Sequence, residues 1–277
     1  MDILEDVEKL YDYFPLETHK FLKLYYENNG IISDSENLFE CIIKFKKFGL
    51  CIFEEDDEVN ESRRVVLDFK VAKNLFDFLN NNQKLLCEEK KLYNIISGVL
   101  NSYLGLKFID FFKILKNFNI FKNEYSIMKF LKYKVGNDMY DFYFNSNNEL
   151  FIASKYIYNS KDIIEKILNY KGERVIHSLN QYIKLSYENI IEDEVSNILN
   201  TVDKELIEKY DNVSISYYLI RNALFDIPYE SCLKNIKDIL PTLDINNFIV
   251  KKNVAKFYNK VPLVFKGGII DPNRVVL

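Results

Sequence analysis

The sequence predicts a mainly α-helical protein: an N-terminal winged-helix-like unit with a small β-hairpin, followed by a multi-helix domain with one further hairpin. Three observations predict it. Gly (8) and Pro (5) are scarce in 277 residues, so tight turns are few, which suits helices joined by short loops better than a sandwich of many hairpins. Apolar residues recur at helical spacing through most of the chain. The period shifts toward alternation in two places only, around residues 50–67 and 139–152.

Taken in order, apolar spacing places helices over Ile3–Tyr13 and Leu16–Glu27, the second stopped by Asn28-Asn29-Gly30. Ser33 or Asp34 is positioned to cap a third helix, in which Leu38, Ile42, Phe45 and Phe48 share a face that ends at Gly49. Leu50–Phe53 and Arg64–Leu67 read as strands flanking the polar loop Glu54–Arg63, and a helix over Lys70–Asn80 closes the unit. The triplet Asn80-Asn81-Asn82 reads as a linker, dividing the chain into residues 1–82 and 83–277. Beyond it, helices are expected over Lys84–Tyr103, Lys107–Asn117 and Asn123–Lys134, then a hairpin from Met139–Phe144 and Glu149–Ile152. Further helices are expected over Lys161–Asn169, Glu188–Asn200, Lys204–Tyr210, Ser214–Phe225, Tyr229–Leu240 and Ile245–Asn259. Glu173–Leu185 fits helix or strand, and the tail Val261–Leu277 is expected to lie extended over the surface.

Lys, Asn, Ile, Tyr and Phe are abundant, and there is no Trp. With 20 Tyr and 22 Phe, aromatic residues must fill core positions, so an aromatic stripe points weakly to a ligand. No stretch approaches the roughly 18 to 20 apolar residues that span a bilayer, and the acidic start MDILEDVEKL is unlike a signal peptide. Cys41, Cys51, Cys87 and Cys232 lie in mainly apolar settings without CxxC spacing, so buried free thiols in a reducing, cytoplasmic compartment are expected.

Charge is unevenly distributed. Residues 1–82 carry 10 Lys+Arg against 18 Asp+Glu, net −8, and the remainder 27 against 23, net +4. A winged helix that grips a duplex depends on cations against phosphate. Here the wing reads EEDDEVNESRR, and the candidate recognition helix balances Asp34, Glu36 and Glu40 with Lys44, Lys46 and Lys47. Lys107–Lys134 interleaves seven lysines with phenylalanines, a pattern that a single-strand binder shares with an ordinary amphipathic helix pair. Six further basic residues follow from Lys251 against Asp271 alone.

Known catalytic signatures are missing. Neither GxxxxGK nor GxGxxG is present, nor GxSxG or HExxH. No histidine falls at metal-ligand spacing from a cysteine, so neither metal nor cofactor is expected. His19 and His177 read as structural histidines, and the acidic runs Asp56-Asp57 and Glu192-Asp193-Glu194 as solvated faces.

Three stretches together carry a resemblance. Lys46–Phe53 with its wing and the following helix, the helix-turn-helix stretch Tyr93–Leu115, and the ending Tyr258–Gly268 (YNKVPLVFKGG) are similar to a loose group of bacterial helical proteins related to SEC-C-motif-containing proteins. The resemblance implies a helical fold and this order of domains, without a transferable activity. The SEC-C zinc cysteines are not in this chain, so zinc is not implied.

The reading that follows is a non-catalytic regulatory or interaction protein in which the acidic unit meets a protein partner. One alternative is a nucleic-acid-binding regulator using Lys44, Lys46, Lys47, Arg63 and Arg64, or the basic helices around Lys113, Lys116 and Lys132. A second is an enzyme of unrecognised class centred on His177.

Overall fold

The computed structural model describes residues 6–33, 38–57, 62–121, 123–135, 139–144, 147–154, 165–167, 169–186, 194, 196–201 and 212–277. The chain is mainly helical with two small three-stranded antiparallel sheets. It separates into two compact units, residues 1–92 with 121–138, and residues 93–120 with 139–277.

In the first unit, α1 (Val7–Tyr11) and α2 (Thr18–Glu27) precede β1 (Ile31–Ser33), then come α3 (Phe39–Lys47), β2 (Cys51–Asp57), β3 (Ser62–Leu67) and α4 (Phe69–Asn81). The sheet order is β1-β3-β2. Helix α2 stops at Asn28, and Gly30, at φ 84°, turns the chain against β3, where a side chain would meet the Val65 carbonyl oxygen at 2.5 Å. Asp68 caps α4 by accepting from the Val71 N–H at 2.9 Å. Leu10, Phe14, Phe21, Leu22, Phe45 and Leu75 form the buried centre, with Phe14 and Phe45 edge-on at 4.7 Å.

Helix α5 (Gln83–Tyr103) contributes its first half to this unit and its second half to the other. The first unit is completed by α7 (Glu124–Phe130), capped by a reciprocal Asn123/Ser126 box and continued as a π-helical turn, Leu131–Val135.

The second unit holds β4 (Gly105–Lys107), α6 (Phe108–Asn117), β5 (Tyr140–Phe144) and β6 (Leu150–Ser154), with sheet order β4-β6-β5. After them come α8 (Leu179–Lys184), α9 (Asn212–Leu224), α10 (Tyr229–Ile239) and α11 (Phe248–Lys260). Its core is built from Leu219, Ile220, Leu233, Ile236, Val254, Phe257 and their neighbours.

The helical class and both hairpins match the expectation, with instructive departures. Each hairpin gains a third strand, β1 or β4, of three residues, too short to show a period. Ser33 lies in β1, and the residue before α3 is Leu38, which makes no side-chain cap; Asp34 lies outside the described residues. The triplet Asn80–Asn82 falls at the α4–α5 junction, whereas the compact units divide within α5. Glu173–Leu185 resolves into an unassigned stretch followed by α8. The tail is no surface strand at its start: Val261, Leu263 and Val264 are buried, and Leu263 bridges to Ile269. The expected helix over 204–210 lies outside the described residues, as do parts of those over 161–169 and 188–200.

Candidate interaction surfaces

The first sheet buries one face and exposes the other. Val65 and Leu67 of β3 point into the core, so Arg64 and Val66 stand on the opposite side. Ile31 pairs with Arg64 across from β1 and is 50% exposed. The pairing shifts register between Cys51 and Phe53, and Ile52 in that irregularity is 69% exposed. Phe69, at the start of α4, is 68% exposed. Ile31, Arg64 and Val66 thus share the exposed side of the sheet, Ile52 and Phe69 are exposed apolar residues nearby in the chain, and β2 carries the sequence run Glu54-Glu55-Asp56-Asp57. β2 is an edge strand, and an acidic sequence on an edge strand discourages pairing with another strand.

The expected cationic residues divide between surfaces. Arg63 and Arg64 stand in register with Asp56 and Glu55, so the hairpin pairs its cations with acidic positions. Arg63 lies over the Phe39 ring at 4.6 Å. Lys113 pairs with Asp110 at 3.5 Å and Lys116 lies 5.9 Å from the Phe112 ring centre, both along α6. Lys46 is exposed on α3.

Lys44 and Lys132, far apart in sequence, meet around one ring. Their Nζ atoms lie 5.1 and 5.0 Å from the centre of Tyr133, and Tyr13 packs edge-on against that ring at 4.9 Å. Burial pushes the Lys44 ammonium below its ordinary value, and the like charges of Lys47 and Lys132 add to this. Glu40, one helical turn before Lys44, opposes that shift.

The residue after Tyr133 belongs to a buried polar triad that sequence reading missed. The Tyr11 hydroxyl donates to Glu89 Oε2 at 2.5 Å. Lys134, in the π-helical turn and 4% exposed, pairs with Glu89 Oε1 at 3.3 Å and donates to the Tyr11 carbonyl at 2.9 Å. Burial pushes Lys134 down to about 8, opposed by the charge of Glu89. Lys134 is buried within this π-helical turn, whose hydrogen bonds span five residues instead of four. On the same segment Lys129 pairs with Asp12 at 2.6 Å.

The two histidines have structural partners. His19 Nε2 lies 2.8 Å from Asn80 Oδ1, with its ring stacked on Phe76. His177 is buried and its Nε2 lies 2.8 Å from the Gly268 carbonyl, an acceptor, so that nitrogen carries the proton. The backbone N–H of His177 donates to the Tyr182 hydroxyl at 3.2 Å, and Tyr103 donates to the Val175 carbonyl at 2.5 Å. With its own proton so used, Tyr103 accepts from Tyr182 at 2.8 Å. The Val175 N–H donates to Gly267 at 2.9 Å. The Lys-Gly-Gly ending therefore fastens residues 175–177 inside the second unit.

Two residue-level expectations are corrected. Cys41 and Cys232 are buried, but Cys51 is half-buried and Cys87 exposed, because Cys87 falls on the wet side of α5. Glu194, read as part of a solvated run, is 1% exposed and takes ion pairs from Lys256 at 3.1 Å and from Lys260. Comparison with protein families, with curated proteins and with solved structures gives no match.

Proposed function

We propose that this protein acts by non-catalytic contact with a protein partner, through the exposed face of its first sheet. The observation that carries the reading is the set of exposed apolar residues Ile31, Ile52, Val66 and Phe69 in and next to the first sheet, with Arg64 among them and the acidic sequence of β2 alongside. Apolar side chains rimmed by charge favour a protein surface, and the sign of the rim selects a partner segment with apolar residues flanked by Lys or Arg. The first unit carries 17 Lys+Arg against 22 Asp+Glu, net −5, which supports the same polarity. This winged-helix-like unit then serves as a protein-docking module in a regulatory assembly.

The test compares the full chain with Ile52→Glu and Phe69→Glu variants in native co-purification after nuclease treatment. Both side chains are exposed, so folding should be retained. A partner held by the parent protein and lost from both folded variants is the expected outcome. Equal retention by all three overturns the reading.

One observation favours nucleic acid as the second reading: the like charges of Lys44, Lys47 and Lys132 act on one another, against the carboxylate of Glu40 on the same helix as Lys44. That reading requires affinity for a single-stranded oligonucleotide that falls steeply with salt and weakens in Lys132→Glu. A flat salt response removes it.

A further inference from the structure

The second unit carries an open groove of about 480 Å³ along α11. Lys252, Lys256 and Lys260 recur every fourth residue, which sets their side chains in a row on one helix face. Opposite them runs the segment Pro272–Leu277, with Val275 and Val276 lining the groove and Val276 82% exposed.

Both walls are held in place. Asn259 donates from Nδ2 to the Val275 carbonyl at 2.9 Å and accepts the Val275 N–H at 2.8 Å, the paired bonds of a strand neighbour made by one side chain. Arg274 reaches the other way, to Asp226 at 2.6 Å and the Ala223 carbonyl at 3.0 Å, with its guanidinium 4.6 Å from the Tyr258 ring centre. On the lysine side, buried Glu194 binds the Lys256 and Lys260 ammoniums together. Burying a carboxylate is costly unless it is well paired, and here the pairing also orders two cations beside the groove. Lys252 is exposed, with no ion pair among the described residues. Counting side chains, three ammoniums stand against one carboxylate along this helix face.

We propose that this groove binds an extended acidic, aliphatic segment of a protein partner: carboxylates against the lysine row, aliphatic side chains against Val275 and Val276. The groove is open along one side, which suits a peptide rather than an enclosed small molecule. No aromatic ring lines it, so it offers no platform on which the bases of a single-stranded nucleic acid would stack. The site lies in the second unit and is independent of the sheet face of the first.

The test is fluorescence anisotropy of the full chain with a labelled peptide of alternating Glu and Leu, a matched peptide of alternating Lys and Leu, and a labelled single-stranded oligonucleotide. The Glu/Leu peptide should bind and the Lys/Leu peptide should not. Lys252→Glu and Val276→Asp, both at exposed positions, should each weaken Glu/Leu binding by about tenfold with thermal stability kept. Ile52→Glu should leave that binding unchanged, which separates this site from the sheet face. Failure of the Glu/Leu peptide to bind overturns the proposal. So does equal binding by Lys252→Glu, or oligonucleotide binding that Lys252→Glu abolishes.

Discussion

Gly98 has no side chain because α8 leaves no room for one: a Cβ there would overlap the Tyr182 carbonyl oxygen. Gly98→Ala should destabilise by about 1–3 kcal/mol, the usual range for overpacking, read as a lowered denaturation midpoint. His177 gives the pH dependence. Burial holds its pKa below the ordinary 6.5, against the hydrogen bond to Gly268, so as pH falls below 6.5 the unfolded chain takes up a proton more readily than the folded chain. Its contribution is therefore present above pH 6.5 and lost as pH falls below it. Thermal scans at pH 7.5 and 5.5 should show this loss in the parent protein and a smaller one in His177→Gln. The histidine was visible in the sequence; its role was not, because Gly268 lies 91 residues away.

The π-helical turn holds one buried cation with two partners. It presents Lys134 to Glu89 and to the Tyr11 carbonyl, and it follows a helix whose capping box starts it cleanly. Lys134→Met keeps the apolar stem but leaves Glu89 without its cation, and should cost about 3–5 kcal/mol in chemical denaturation. Adding Glu89→Leu should restore part of that loss, since no uncompensated buried carboxylate remains. Helical period predicted a helix here, and residues 124–130 obey it. The wider turn was not legible, since its backbone follows from the partner of Lys134 rather than from local propensity. Strands β1 and β4 were hidden for a related reason, as three residues acquire strand geometry only by pairing with β3 and β6.

At the scale of the whole molecule, the first unit is discontinuous. Residues 121–138 bring four lysines to an N-terminal stretch of strongly negative charge, and two of them, Lys129 and Lys134, pair with Asp12 and Glu89. A fragment ending at Asn82 would lack both Glu89 and Lys134. It should melt with less cooperativity than the full chain by circular dichroism, because Tyr11 loses both of these buried partners. A fragment melting as sharply as the full chain would show that residues 1–82 carry their own stability. The partner-binding reading rests on the exposed apolar residues of the first sheet, and the cations around Tyr133 carry the rival nucleic-acid reading.

Helical class, both hairpins, most helix positions and the uneven charge were legible in the chain, because period, caps and composition act within a few residues. Folding alone revealed that Glu194 is a buried anchor, that Tyr11, Glu89 and Lys134 form one triad, and that Lys44 and Lys132 share a ring. Each of these joins residues more than forty positions apart. The energy of a buried charge depends on what faces it across the core, and local patterning along a chain carries no record of that neighbour.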